Sequence, residues 1–208
     1  GDSELAVIET RTIRPIIILD SNGRCYAFDA SSVPRGKGDG LPVSSIIELQ
    51  NGASIAAAMS GNEEDKYLFT SSNSYGFIAP LKGLIARPKA GKAFMKVEAG
   101  VKVLEPIRLD DREFLAATSS ESKLLVFPLN EINEYPNGGR GVKIMDIPKG
   151  KLLTSVALCD GEAATVVVKG KNKVIKGEAF AKCLGKRARK GAAFVAVRAK
   201  AKRQSRLF

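Results

Sequence analysis

The chain has 208 residues with a formal net charge of +11, and 44% of them are hydrophobic, which is ample material for a core. It contains no histidine, which excludes Ser-His and Cys-His catalytic pairs and removes the commonest metal ligand. No apolar run approaches 18 residues, and the first residues lack the basic-then-apolar plan of a signal peptide. We therefore expect neither a membrane-spanning helix nor a secretory leader.

Four glycines divide the chain into repeats. Gly40, Gly91, Gly141 and Gly191 lie 51, 50 and 50 residues apart, and a regular period near 50 is typical of propeller-like arrays. We predict one domain of four full repeats, with a strand left from an earlier repeat before them and a basic tail after them. The bounds are residues 1–13 for the strand, about 15–49, 51–97, 99–147 and 149–197 for the repeats, and 198–208 for the tail.

Each repeat contains a hairpin signature, in which two apolar runs flank a short polar turn. In chain order the hairpins read IIILDSNGRCYAF, YLFTSSNSYGFIA, LAATSSESKLLVF and TVVVKGKNKVI. Short helical turns are expected after the last three, at residues 79–84, 129–132 and 178–184. A second series of glycines, Gly52, Gly100 and Gly150, has spacings of 48 and 50 and supports the same period.

The repeats predict an all-β fold of about four strands per unit. One such unit would expose both faces of its sheet and could not bury a core alone, so neighbouring units must pack on each other. Radial packing of this kind also protects sheet edges, as in propellers.

A basic loop ends at each of the four repeat glycines. The loops read RGKGDG, RPKAG, NGGRG and KRARKG. The same charge at the same place in every repeat favours one shared anion-binding surface, because solubility alone requires no fixed position. The candidate residues of this anion-binding surface are Arg35, Lys37, Arg87, Lys89, Lys92, Arg140, Lys143, Lys186, Arg187, Arg189 and Lys190.

The overall basicity belongs to the last quarter of the chain. Residues 151–208 hold 15 Lys and Arg against 3 Asp and Glu, a net of +12, and residues 1–150 hold 18 against 19, a net of −1. A basic surface on a nearly neutral body indicates a polyanion binder. Aromatic residues make up 6%, with no Trp and none in the basic loops, so duplex backbone contact fits better than base stacking.

Two other functions remain open at this point. A propeller-type protein-interaction module would bind through an apolar or mixed face with weak salt dependence, and an RNA-binding basic β-protein would prefer RNA. The tail, RAKAKRQSRLF, is open to two interpretations as well, an electrostatic arm or a segment that contacts DNA.

No enzyme active site is predicted. The acidic residues fall in turns such as Glu63-Glu64-Asp65 and Asp110-Asp111, which are typical of solvated loops. Cys25, Cys159 and Cys183 share no ligand spacing and are interpreted as reduced, packed thiols of a cytoplasmic protein. We expect no metal, no cofactor and no small-molecule substrate.

Three stretches, together with the repeat order, resemble the C-terminal domains of bacterial type IIA topoisomerase A subunits. They are DSNGRCYAFDASSVPRGKGDGLP, SYGFIAPLKGLIARPKAGKAFMKV and LLVFPLNEINEYPNGGRGVKIMDIP. The resemblance covers nearly the whole chain and is closer to topoisomerase IV than to gyrase. The Gln-Arg-Arg-Gly-Gly-Lys-Gly box of gyrase is absent from this sequence, although that box belongs to a first blade, whose loop we expect to lie before residue 1.

The resemblance implies a β-pinwheel, a propeller-like disc of four-stranded blades that exchange strands. It implies that the loop cations given above bind duplex DNA, which bends around a basic rim. It also implies that the domain presents a DNA segment to an ATP-dependent topoisomerase core and tunes decatenation and supercoil relaxation. The implied partners are DNA, the remainder of the topoisomerase IV A subunit and, through it, the B subunit. The implied location is the nucleoid, with peripheral membrane association of the parent enzyme open.

The family's nucleophilic tyrosine and metal-binding carboxylates lie in other regions of the parent enzyme. The four tyrosines of this chain are therefore interpreted as packing residues: Tyr26, Tyr67, Tyr75 and Tyr135.

Overall fold

The computed structural model describes residues 7–11, 13–34, 40–86, 88–168 and 170–194. These residues form fourteen β-strands, one short α-helix and four 3-10 turns. The strands are β1 Pro15–Asp20, β2 Arg24–Asp29, β3 Ile55–Ser60, β4 Lys66–Thr70, β5 Tyr75–Pro80, β6 Lys92–Ala93, β7 Ile107–Arg108, β8 Phe114–Ser119, β9 Lys123–Pro128, β10 Val142–Lys143, β11 Leu153–Cys159, β12 Ala163–Val168, β13 Lys171–Lys176 and β14 Ala192–Ala193. The helix is α1 Gly177–Ala181, and the 3-10 turns are Ala30–Ser32, Val43–Ser45, Leu81–Leu84 and Leu129–Glu131.

The strands make three four-stranded antiparallel sheets and one hairpin. The sheet orders are β3-β1-β2-β6, β10-β5-β4-β7 and β11-β8-β9-β14, followed by β12-β13. In each four-stranded blade the central hairpin comes from one repeat, and both outer strands come from the next repeat along the chain. The predicted all-β fold with four-stranded blades and strand exchange is therefore confirmed.

All four predicted hairpins form, as β1-β2, β4-β5, β8-β9 and β12-β13. Their turns demand one residue in the left-handed region, which glycine adopts most readily. Gly23 takes that place in the first hairpin with φ +81°, whereas Ser74 and Ser122 take it in the next two with φ +69° and +57°. The polar turns seen in the sequence thus fix the hairpin positions.

The core lies between successive blades. Ile17 and Leu19 of the first blade pack in one cluster with Phe69 and Phe77 of the second. Residues one position away, such as Leu68, point to the other side and join the cluster shared with the third blade. Because side chains alternate along a strand, each central hairpin contributes to two cores at once.

The predicted helical turns are confirmed as the 3-10 turns Leu81–Leu84 and Leu129–Glu131 and as α1. Each follows a central hairpin and leads toward a basic loop; Leu81 and Leu84 are fully buried and anchor the first of these turns. The strand predicted for residues 1–13 is not formed by residues 7–11, and residues 1–6 and 12 lie outside the described residues. A solitary alternating segment gains no ladder hydrogen bonds without an adjacent strand.

The three cysteines are buried, as predicted, and none is in a disulfide. Burial raises the pKa of each thiol, and that of Cys25 rises to about 11. A protonated, enclosed thiol is a packing group rather than a nucleophile.

Candidate nucleic-acid interface

Each described basic loop leads into a two-residue strand that pairs with the hairpin of the preceding repeat. Lys92 of β6 pairs with Cys25, Val142 of β10 pairs with Gly76, and Ala192 of β14 pairs with Leu124. All three pairings lie near the turn of the hairpin. The basic loops of the second, third and fourth repeats therefore occupy one structural position on successive blades.

Close backbone approach explains why a glycine ends the second, third and fourth basic loops, whereas a Cβ at Gly40 would meet nothing within 4 Å. Gly91, Gly141 and Gly191 have φ values of +61°, +82° and +68°. A Cβ on any of them would lie less than 3.0 Å from a main-chain carbonyl oxygen of the paired hairpin strand. Only glycine has both the conformation and the space at these points, so the period of the glycines is set by blade assembly.

Equivalent hydrogen bonds connect neighbouring loops into a row. The acceptor is the carbonyl two residues before Gly91, Gly141 or Gly191. The donor is a backbone N–H in the preceding repeat, four residues before Gly52, Gly100 or Gly150. The pairs are Glu48 N to Lys89 O at 3.0 Å, Lys96 N to Gly139 O at 2.9 Å, and Asp146 N to Arg189 O at 2.9 Å. We call residues 88–92, 137–143 and 186–191 the basic rim.

The structure places the predicted cations differently within the basic rim. Lys89 is exposed and Lys92 is half-buried at the edge of the first blade. Arg35, Lys37 and Arg87 lie outside the described residues, so their placement stays a prediction.

Arg140 is exposed but already engaged. Its guanidinium lies 4.1 Å from the centre of the Tyr75 ring, and Nη2 lies 3.1 Å from Glu98 Oε1. The cation–π contact holds the guanidinium over the ring, while the carboxylate offsets part of its charge. Arg140 is therefore oriented at the surface, with less free charge than the sequence indicates.

Lys143 contacts the loop of the fourth repeat. Its Nζ lies 2.6 Å from Asp146 Oδ1, and the pKa of Asp146 is lowered by this hydrogen bond, by the charge of Lys143 and by the nearby Lys190. Arg187 Nη1 donates to Lys143 O at 2.8 Å, and Arg187 N donates to Glu131 Oε2 at 2.8 Å. Half-buried Arg187 thus holds two loops together, so its role is structural as much as electrostatic.

The cations most available to a ligand lie in the last loop. Lys186, Arg189 and Lys190 are exposed, and none of them forms a salt bridge with any residue that the structure describes. They concentrate three charges within five residues, next to the already basic loop of the third repeat. This part of the basic rim is the strongest anion-attracting surface among the described loops.

Sequence reasoning missed Arg24 and Lys96. Arg24 Nη2 donates to Ala90 O at 2.8 Å and to Gly91 O at 3.0 Å, so it fixes the second basic loop from the neighbouring hairpin. Lys96 is exposed and is hydrogen-bonded to the loop of Arg140. Lys96 has a detectable signal, its place four residues before Gly100, whereas nothing in the local pattern marks Arg24.

The tyrosines pack as predicted. Tyr26 and Tyr67 are buried, Tyr75 is half-buried beneath Arg140, and Tyr135 packs edge-on against Phe77. Within the described ranges no group of three or more Cys, Asp or Glu side chains is arranged to hold a metal ion. No helix in that same part of the chain is both long and apolar enough to cross a membrane.

Comparison with known proteins identifies relatives along most of the chain. Residues 113–160 match the family model described as the DNA gyrase C-terminal domain, beta-propeller. The chain is 40% identical over 142 residues to the A subunit of DNA topoisomerase 4 from Neisseria gonorrhoeae, covering 65% of this chain and 18% of that protein. It is 33% identical over 199 residues to the Haemophilus influenzae protein of the same name, covering 92% and 26%. The chain thus spans about a quarter or less of these relatives.

The solved structures agree with the sequence relatives. The E. coli ParC C-terminal domain matches with a TM-score of 0.82 and 26% identity, covering 91% of this chain and 80% of that one. The C-terminal domain of DNA gyrase A matches with a TM-score of 0.65 at 18% identity, which shows the common fold alone. The chain therefore belongs to the family of C-terminal domains of DNA topoisomerase 4 and gyrase A subunits, and it has the β-pinwheel fold of that family.

Proposed function

We propose that this domain binds duplex DNA along the basic rim without sequence specificity and bends the DNA that it holds. The observation that carries the proposal is the row of equivalent hydrogen bonds that joins the basic loops of successive blades. Because the blades of a β-pinwheel are arranged around an axis, we infer that a row of loops at one end of the blades presents its charges along a curved line. Lysine and arginine on such a line contact phosphates, which are present in every sequence.

The radial arrangement of the blades is the proposed reason for bending. DNA that contacts cations on several blades must follow the surface, and each added phosphate contact offsets part of the deformation energy. The last loop, with Lys186, Arg189 and Lys190, supplies the highest density of unpaired charge among the described loops. We expect it to dominate the affinity.

In the parent enzyme the domain presents the bound DNA segment to the catalytic core and tunes decatenation and supercoil relaxation. It has no catalytic residues of its own in this proposal, and it meets the B subunit only through the remainder of the A subunit. The names of the sequence relatives support this role. The single-domain organisation with repeats at about 15–49, 51–97, 99–147 and 149–197, and a nucleoid-associated cytoplasmic location, belong to the same proposal.

A salt titration of binding to a duplex of about 40 base pairs tests the proposal. Engagement of roughly six phosphates gives a log-log salt slope near −5, and a single-stranded RNA of equal length should compete poorly. A shallow slope would favour a protein-interaction module, and RNA outcompeting the duplex would favour an RNA-binding protein. Either result would refute duplex binding along the basic rim.

A charge-removal variant locates the contact surface. Replacing Lys186, Arg189 and Lys190 with Gln should weaken binding equally for unrelated duplexes and make the slope shallower by about 3, because each lost phosphate contact removes about one unit. The matched control replaces Lys66, Lys82 and Arg108 with Gln. These three cations pair with Glu134, Glu64 and Asp65 at the other end of the second blade's hairpin. Equal effects of the two variants would contradict the assignment of the basic rim.

A further inference from the structure

A groove of about 620 Å³ lies between the second and third blades. Its floor is apolar, with Ile78 and Ile132 buried and Phe114 and Leu129 half-buried. The groove lies beside Phe114, which begins β8, and Pro128, which ends β9. We call this the open end of the β8-β9 hairpin. The turn lies at the opposite end, and the basic rim lies next to the turn. The volume falls within the range of about 300–1,000 Å³ that ligand sites in proteins occupy.

The wall of this groove is acidic. Asp110, Asp111, Glu113 and Glu134 line it together with one cation, Arg112. Asp110 is neutralised by Arg112, which lowers its pKa to about 2, and Glu134 pairs with Lys66. Among the described residues, the carboxylates of Asp111 and Glu113 have no cationic partner. Two unpaired anions therefore stand beside apolar surface.

The acidic groove is part of a charge separation along the blades. Nine of the 22 acidic residues of the chain lie in loops at the open ends of the second, third and fourth hairpins. They are Glu63, Glu64, Asp65, Asp110, Asp111, Glu113, Glu134, Asp160 and Glu162. Cations of the same end pair with Glu64, Asp65, Asp110 and Glu134, which leaves Asp111 and Glu113 as the unpaired carboxylates beside the groove. A ligand that carries positive charge and some apolar surface therefore fits the groove best.

We propose that the groove docks residues 198–208 of the same chain, RAKAKRQSRLF. This segment carries five Lys and Arg residues for the acidic wall and ends in Leu207-Phe208 for the apolar floor. Docking keeps these five charges at the end of the blades opposite the basic rim. The segment therefore acts as an internal partner and does not extend the DNA-binding surface.

The chain is long enough for this contact. Phe194 follows β14, which pairs with Leu124 and Lys123 at the turn end of the third blade's hairpin. The distance along β9 from Leu124 to Pro128, at the open end, covers five residues, or about 17 Å at 3.4 Å per residue. The 14 residues after Phe194 span at most about 50 Å when extended, which is ample even around the side of the blade.

Photo-crosslinking in the full chain tests the docking without DNA. Phe208 is replaced by the photoreactive analogue benzoylphenylalanine, and the crosslinked residues are mapped by mass spectrometry. We expect crosslinks within residues 110–114 and 128–134, and fewer of them as salt rises. Crosslinks that map mainly to β12, to the basic rim or to scattered sites would overturn the proposal, as would an absence of intramolecular crosslinks.

Removal of the two unpaired carboxylates of the groove tests whether the crosslinks come from specific docking or from random encounters of the segment with the blades. Asp111→Asn combined with Glu113→Gln should reduce groove crosslinks about fivefold, as expected for losing two exposed charge pairs. Glu63→Gln combined with Glu64→Gln removes two charges from the equivalent loop of the second blade and should leave the yield unchanged. Groove crosslinks that persist in the first variant would refute the docking. Since neither readout involves a duplex, failure here is distinct from failure of DNA binding.

Discussion

Replacement of one loop glycine by alanine tests how the blades are assembled. Gly141 has φ +82°, and a Cβ there would lie less than 3.0 Å from the main-chain oxygen of Gly76, on the strand with which β10 pairs. The left-handed conformation costs alanine about 1 kcal/mol or slightly more. The steric overlap adds about 1–3 kcal/mol, because the obstacle is backbone and cannot rotate away. We expect Gly141→Ala to lower the free energy of unfolding by about 2–4 kcal/mol.

Gly150→Ala is the matched control for this substitution. Gly150 has nearly the same conformation, φ +79°, but a Cβ there meets nothing within 4 Å. Its cost should therefore be the conformational part alone, about 1 kcal/mol. Urea unfolding followed by far-UV circular dichroism measures both variants. A difference of about 2 kcal/mol corresponds to roughly 4–8 °C in Tm for a chain of this size. Equal losses would refute the argument that close strand approach, rather than the turn conformation, selects these glycines.

Three further predictions concern other features of the fold. Ser122→Gly should raise Tm slightly, because glycine adopts the φ of +57° at this position without strain. Ser74→Gly should lower Tm, because the Ser74 hydroxyl accepts from the backbone N–H of Met145 and donates to its carbonyl, at 2.9 Å each. Thermal unfolding in which both variants shift Tm in the same direction would contradict this prediction. No thiol should react with Ellman's reagent at pH 8 in native buffer, and all three should react in denaturant. The reason is that burial raises the pKa of each thiol, that of Cys25 to about 11. Rapid labelling of the native protein would show that a thiol is accessible and would contradict this prediction. The pKa of Asp146 is lower in the folded state than in the unfolded state, because Lys143 pairs with its carboxylate. Its contribution to the stability of the fold is therefore fully present above the unfolded pKa, near 4, and is lost as pH falls through the folded pKa. Asp146→Asn should flatten the decline of Tm below about pH 5, and an unchanged pH profile would contradict the pairing with Lys143.

The hairpins and helical turns could be predicted because their signals are local. An apolar run, a polar turn and a second apolar run specify a hairpin through side-chain alternation and turn conformation, both of which depend on neighbouring residues. The polar turn at Ser74 is an example, since its sequence places the turn although the left-handed residue is not glycine. The period of 50 then predicted that such units stack.

The exchange of strands could be anticipated only through the family resemblance. The outer strands β6, β10 and β14 have two residues each, too few for any alternation to be recognised. Their partners lie up to 70 residues earlier in the chain, as in the pairing of Arg24 with Ala93. Such pairings depend on how whole blades pack, which local sequence does not encode.

For the basic rim, the sequence determined the positions of the charges, and the tertiary structure determined which of them are paired. The sequence by itself determined where positive charge recurs, because charge is a property of residue type and the repeat fixes its position. Only the tertiary structure decided which charges are free: Arg140 meets Glu98, Lys143 meets Asp146, and Arg187 holds a neighbouring loop, while Lys186 and Lys190 form no salt bridge with described residues. The physical reason is that a charge is offset by groups within a few ångströms in space, and in an array of exchanged strands those groups come from other blades.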